Sequence, residues 1–182
     1  MQPAELEDRA RRARRGLLFA TEALRPTPGL GRPEIQRILP HRGAMLLLDA
    51  IAAVDPQRGR LLGQRKIAAD DPVFEGHFPG APIYPGVLQV EMSGQLGLCV
   101  KHFLDRGDAE VPPGSRPRPV RLVRVRDASF VAEARPGDEL EVLAEVLEDN
   151  DYTFTALGQV TRAGEILSAS IFEAVLGDAY ER

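Results

Sequence analysis

Apolar positions along the chain change period several times, and the changes divide it into elements. In residues 1–25, Ala4, Leu6, Ala10, Ala13, Leu17 and Leu18 recur at helical spacing. Glu5, Glu7 and Asp8 precede the arginines Arg9, Arg11, Arg12, Arg14 and Arg15, an order that suits the helix dipole and permits pairs such as Asp8 with Arg12. Pro26, Pro28, Gly29, Gly31 and Pro33 then break any helix. Residues 1–33 are therefore expected to be a solvated helical extension and linker, and residues 34–182 the compact domain.

Inside that domain, residues 45–54 and 60–68 read as two strands joined around Asp55-Pro56-Gln57-Arg58-Gly59. A turn-rich stretch, 70–85, carries Pro72, Pro79, Pro82 and Pro85. Residues 86–103 lack proline and are apolar around most of the circumference, as a buried helix would be. After a loop at 105–119, four strands alternate with period two: 120–126, 139–148, 152–161 and 165–175. In the first of these, Val123 and Val125 are expected to face the core and Arg124 and Arg126 the solvent. One buried helix and about six strands joined mostly by hairpins give an α+β class, an antiparallel sheet curled around the helix.

Composition narrows the possibilities. With 43% hydrophobic and 27% charged residues among 182, the chain is globular, not disordered. No apolar run reaches the ~18 residues of a membrane span. A net charge of −4 argues against a nucleic-acid binder. Cys99 is the one cysteine, so neither an internal disulfide nor a cysteine-rich zinc site can form, and it is expected to be a small core residue. No set of histidines, cysteines and carboxylates has metal-ligand spacing. Residues 16–20 are too short an apolar stretch for a secretory signal, and the acids nearby are unlike a transit peptide, so a cytoplasmic location is expected.

One stretch, residues 74–91, combines polar groups with special backbone chemistry. His77 lies between two glycines in a proline-fixed loop, just ahead of the apolar helix, and Glu91 lies inside that helix. A carboxylate among Val87, Val90 and Met92 needs a partner or a proton, and burial is expected to raise its pKa toward that of a neutral-pH acid. A neutral imidazole is the matching base. Gln95, four residues on, can orient Glu91. The Gly86 amide, at the helix start, can polarise a carbonyl or hold an enolate oxygen. Plainer readings stand beside these: a hydrogen-bonded surface histidine, a solvated glutamate, ordinary turn chemistry. Spacing does not itself bring His77 to Glu91. His41 is expected to cap a strand or brace the site, and His102 to place a cation at the helix end.

These residues carry a resemblance. Leu39-Pro40-His41-Arg42 with Leu47-Leu48-Asp49, Gly76-His77-Phe78-Pro79-Gly80, Pro85-Gly86-Val87-Leu88-Gln89-Val90-Glu91-Met92 with Gln95, and Arg135-Pro136-Gly137-Asp138 resemble the FabZ-type 3-hydroxyacyl-[acyl carrier protein] dehydratases over about residues 34–175. The related FabA-type enzymes carry aspartate where Glu91 stands. The resemblance implies a hotdog fold and dehydration of a 3-hydroxyacyl thioester to the trans-2-enoyl thioester in fatty acid or polyketide-type synthesis. It implies His77 as base and Glu91 as acid, with Gly86, Phe78, Pro79 and Gln95 at the substrate. It also implies no metal or redox cofactor, a substrate carried on the phosphopantetheine of acyl carrier protein, and a homodimer or higher homo-oligomer. Hotdog thioesterases and non-catalytic acyl-carrier-binding modules are the alternatives.

The chain departs from the family pattern at Gly43-Ala44-Met45, where an aromatic-proline sequence is more usual. It departs also at Ala50, where arginine is common, and at Met92-Ser93-Gly94, in place of an alanine-rich stretch. An acidic carrier protein is expected to dock on arginines, with Arg121, Arg124 and Arg126 and the neighbouring Arg116 and Arg118 as candidates.

Overall fold

The computed structural model describes residues 1–150 and 152–177. The elements run α1 (Pro3–Ala13), β1 (Arg25–Pro26), α2 (Arg32–Ile38), β2 (Ala50–Asp55), β3 (Arg60–Lys66), α3 (Gly86–Arg106), β4 (Val120–Phe130), β5 (Glu139–Asp149), β6 (Thr153–Arg162) and β7 (Glu165–Leu176). Among the described residues the seven strands make one antiparallel sheet in the order β1-β2-β3-β5-β6-β7-β4. The hairpins β2–β3, β5–β6 and β6–β7 are those the turn residues predict. One long helix against an antiparallel sheet is the expected hotdog arrangement.

α3 is long because no proline interrupts it, and it ends where Gly107 adopts a left-handed φ of 71°. Small residues let it lie close to the sheet. A Cβ added to Gly158 on β6 would stand 2.3 Å from the Ser93 Cβ, and one added to the helical Gly97 would stand 2.7 Å from the Phe172 ring. Met92, Leu96, Cys99 and Phe103 fill the main core with Ile35, Leu48, Leu61 and Val142. Burial pushes the Cys99 thiol pKa up, so it is an inert core group. The helix is not buried all round: Val87, in its first turn, is 72% exposed.

The N-terminal segment differs from the expected solvated extension. Its helix ends at Ala13, because Gly16 follows and Gln159 of β6 takes the last carbonyls, donating to Ala13 O (2.6 Å) and Gly16 O (3.0 Å). Leu6, Ala10 and Ala13 pack on Leu157, Ala169 and Ile171, the outer face of β6 and β7. Glu145 on β5, nearly buried, binds Arg9 of α1 at 3.0 Å and Arg60 of β3 at 2.8 Å. Residues expected to be linker hold β1 and the first turn of α2.

Two further expectations change. The first strand begins at Ala50, because side chains bind the backbone of residues 45–47 and take it out of the ladder. Val123 and Val125 are not core residues but 44% and 43% exposed. β4 is an edge strand, and bulges at Leu122/Arg124 and Val125/Asp127 break its period-two alternation.

If close approach selects Gly158, then Gly158→Ala should cost about 1–3 kcal/mol in urea unfolding. Adding Ser93→Gly should recover part of that loss, although glycine in a helix interior itself costs about 1 kcal/mol. A double variant less stable than Gly158→Ala would show that the Ser93–Gly158 contact is not the reason.

Candidate active site

The loop between β3 and α3 is built by its own backbone. Asp71 accepts from Val73 N (3.0 Å) to start a turn, and His77 N donates to Val73 O (3.0 Å). Ile83 N donates to His77 O (3.1 Å), and Tyr84 N donates to Ala134 O (2.7 Å), tying the loop to the segment ahead of β5. The same Ile83 fixes the histidine ring, since Nδ1 lies 2.9 Å from Ile83 O. A carbonyl only accepts, so the ring proton sits on Nδ1 and Nε2 keeps its lone pair. Phe78 stacks on the imidazole, with centroids 4.0 Å apart, and its own ring is 51% exposed. Pro79 is exposed beside it.

α3 begins immediately after this loop. Among the described residues no acceptor takes the Gly86 N–H, which is the first orphan amide of the helix. The Phe130 ring covers the α-carbon of Gly86 so closely that a Cβ there would lie 2.6 Å from it. Glycine is thus required by the close approach of an aromatic ring, and the amide beside it stays free.

Five residues into the helix, Glu91 is bound on one oxygen. Gln95 Nε2 donates to its Oε1 at 2.9 Å, and His41 Nε2 lies 3.1 Å from the same atom. The hydrogen bond from His41 outweighs burial, and with Gln95 it holds the Glu91 carboxyl below its ordinary pKa. The expected rise is therefore reversed in this chain: desolvation acts in that direction, but a side chain 29% exposed feels the donors more strongly. Oε2 keeps no partner among the described residues. Glu91 lines a cavity of about 120 Å³ together with His41, Gly94, Leu98, Val120 and Phe172.

The elements named before as motifs are the scaffold for this carboxylate. Arg42 donates to Gln36 O (2.9 Å), Leu39 O (2.6 Å) and His41 O (2.7 Å), closing the C-terminal end of α2 and fixing His41. Gln95, 1% exposed, donates to Met45 O (2.7 Å) and accepts from Leu47 N (2.9 Å). Asp49 binds Arg32 (2.6 Å), Arg65 (3.2 Å) and the Lys66 amide (2.7 Å), anchoring the far end of the same segment.

The structure thus brings together Glu91, Gln95 and His41, and puts Gly86 between the loop and Glu91 along the chain. It does not join His77 to Glu91: among the described residues no hydrogen bond or ion pair links them. His41, expected only as a brace, touches the carboxylate directly. Its signal was the charged Pro-His-Arg element, but nothing in the spacing set that element against the helix. Four of the five candidate arginines separate into two groups. Arg116 and Arg118 line a cavity near the C-terminal end of α3, whereas Arg126 pairs with Glu173 and Arg124 lies 3.8 Å from the same carboxylate.

Comparison with known proteins now bears on the site. Residues 39–169 match the model of the FabA-like domain, a span that holds His41, His77, Glu91 and Gln95. The 3-hydroxyacyl-[acyl-carrier-protein] dehydratase FabZ of Campylobacter curvus (strain 525.92) is 33% identical over 147 residues, covering 80% of this chain and 96% of that protein. The chain belongs to the FabZ family of dehydratases. Among solved structures, the dehydratase heterocomplex ApeI:P from Xenorhabdus doucetiae shares the fold at a TM-score of 0.62 and 19% identity, covering 81% of this chain and 93% of that one. A hypothetical thioesterase from Streptococcus pneumoniae TIGR4, in a mutant form, aligns at a TM-score of 0.52 with 12% identity, over 75% of this chain and 98% of that one. Dehydratases and thioesterases therefore share this fold, and the residues of the FabZ motifs, not the fold, distinguish this chain.

A lowered pKa makes Glu91 stabilising above its unfolded value, and that stability is lost as pH falls through the folded one. Carbon-13 NMR titration of the Glu91 carboxyl should give a midpoint below that of ordinary glutamate. His41→Ala should move that midpoint up. A midpoint that the substitution leaves in place would show that His41 is not what lowers it.

Proposed function

We propose that this chain dehydrates 3-hydroxyacyl thioesters carried on acyl carrier protein, with His77 as base and Glu91 as acid. The observation that carries this reading is that the chain holds the three groups the reaction needs: an imidazole with its Nε2 lone pair free, the unbound Gly86 amide, and Glu91 lining a cavity. The thioester carbonyl oxygen accepts from Gly86 N–H, which stabilises negative charge as it develops there. His77 Nε2 takes the proton from C2, the electron pair forms the C2–C3 double bond, and the C3–O bond breaks. Glu91 gives a proton to the departing hydroxyl, which leaves as water. Closing the site over Oε2 adds the desolvation that an open chain lacks, and moves Glu91 toward the protonated form this step needs. Phe78 and Pro79 flank the substrate beside His77, and Gln95 keeps Glu91 oriented. The chemistry draws on these side chains, with no metal or redox cofactor, and we place it in the cytoplasm.

We infer further that each site is shared between two copies of the chain. One chain leaves His77 and Glu91 unlinked, Phe78 and Val87 exposed, and the apolar edge strand β4 open, which supports pairing across that edge. His77→Ala and Glu91→Gln should each lower turnover of a 3-hydroxyacyl pantetheine thioester by roughly 10²–10⁴-fold, with melting unchanged. Unfolding the two inactive variants together and refolding them should then restore up to about a quarter of wild-type activity, since half the dimers would be mixed and each would hold one intact site. Heterodimers, identified by different tags, that stay as inactive as the parents would place both residues in one chain. Release of free thiol without enoyl absorbance would indicate a thioesterase instead.

Carrier docking is assigned to Arg121, Arg124 and Arg126 on β4. Support comes from Arg124, whose side chain is 61% exposed and only loosely paired with Glu173 at 3.8 Å. Charge reversal at Arg124 and Arg126 should raise KM for the carrier-bound substrate and leave that for the pantetheine substrate near wild type. Equal effects on both would remove the docking assignment.

A further inference from the structure

A second cavity, of about 280 Å³, lies toward the C-terminal end of α3 and abuts the Glu91 cavity at Leu98 and Val120, which line both. Ile38 and Leu176 give it apolar wall, while Lys101, Arg106, Arg116 and Arg118 line it against a single acid, Asp105. Most of that charge is already committed. Lys101 is buried against Asp105 and Asp149, Arg118 binds Asp105 at 3.1 Å, and Arg106 binds Asp108 at 2.9 Å. Arg116 has no ion-pair partner among the described residues. His102 lines the same wall, and its Nε2 is buried without a hydrogen bond. Burial and the charge of Arg106 hold its pKa below the usual histidine value, so it is neutral there and not the cation expected at the helix end.

The order of groups along α3 gives this cavity a direction. Gly86, Glu91, Leu98 and His102 follow one another, and at about 1.5 Å per residue Leu98 lies roughly 10 Å and His102 roughly 16 Å beyond Glu91 along the axis. A chain with its thioester oxygen at Gly86 and its C3 at Glu91 continues past Leu98 into the second cavity. There a methyl end leaves the Arg116 guanidinium without an ion-pair partner, whereas a carboxylate would form a charge-assisted pair with it.

Resting on the dehydratase reading above, we propose that this cavity receives the far end of the acyl group and selects chains that end in a carboxylate, with Arg116 as its partner. The test compares pantetheine thioesters, so that carrier docking plays no part. One is 3-hydroxybutyryl, and two are medium-chain 3-hydroxyacyl groups of matched length that end in a methyl or a carboxylate. For the wild type, kcat/KM should favour the carboxylate-ended chain by about tenfold or more, the size of one charge-assisted hydrogen bond. Arg116→Glu should reverse that preference, and Arg116→Lys should keep part of it. A smaller wild-type ratio, or one that Arg116→Glu does not move, overturns the inference alone. Absence of any turnover, including that of the 3-hydroxybutyryl thioester, overturns the dehydratase reading and the inference with it.

Discussion

A carboxylate placed in a helix that packs on a sheet is the constraint around which this chain is built. Glu91 sits between Val90 and Met92, and its Oε1 would be costly to desolvate without donors. Gln95 and His41 supply them, but each can do so only if something holds it in turn. Gln95 is clamped by the backbone of Met45 and Leu47, and His41 by the turn that Arg42 closes on α2. Arg32 and Asp49 then fix the remaining free end of the segment. The run from α2 to β2 is consequently not a strand, although its apolar residues have strand length. Its backbone groups are spent on the helix carboxylate and its supports.

The same constraint explains what one chain leaves unfinished. Of the two groups that bind Glu91, His41 belongs to residues 39–48 and Gln95 is held by that segment, and both reach Oε1, which leaves Oε2 without a partner among the described residues. The His77 loop is fixed by equally local bonds, through Ile83 and Val73, and none reaches toward Glu91. Two rigid half-sites, each satisfied within its own segment, have no internal reason to close on one another. The exposed ring of Phe130 lies against Gly86, beside its free amide, an apolar neighbour for a group that needs a low-dielectric setting to polarise a carbonyl.

Most of this was legible where one residue type serves one local purpose. Period-two alternation placed β5, β6 and β7, and the proline-free apolar run at 86–103 placed α3. The loop histidine and helix glutamate stood out by their setting, one between glycines in a proline-fixed loop and the other among apolar residues, and by the family motifs they belong to. What was not legible depends on contacts remote in sequence. The bond from His41 reverses the pKa shift that the local apolar context implies for Glu91. Gln159, in the middle of β6, decides where α1 stops, and no feature of residues 1–25 announces it. Val123 and Val125 alternate as core residues do, yet β4 is last in the strand order and bulged, so they stay exposed among the described residues.

That strand order, together with the N-terminal segment, limits how such chains can assemble. Flat stacking on the outer face of β6 and β7 is closed, because α1 already buries Leu157, Ala169 and Ile171 there. The Arg9–Glu145–Arg60 network helps keep α1 in place, and removing both arginines would strand a nearly buried carboxylate. At one sheet edge β1 is two residues long, and Pro26 has no amide to offer a further strand. The opposite edge is β4, eleven residues long, apolar at Leu122, Val123 and Val125, and carrying Phe130 over the first residue of α3. The helix on the outer face and the short proline edge at β1 thus leave β4 as the long open edge among the described residues, and β4 is also the strand that borders the Glu91 cavity.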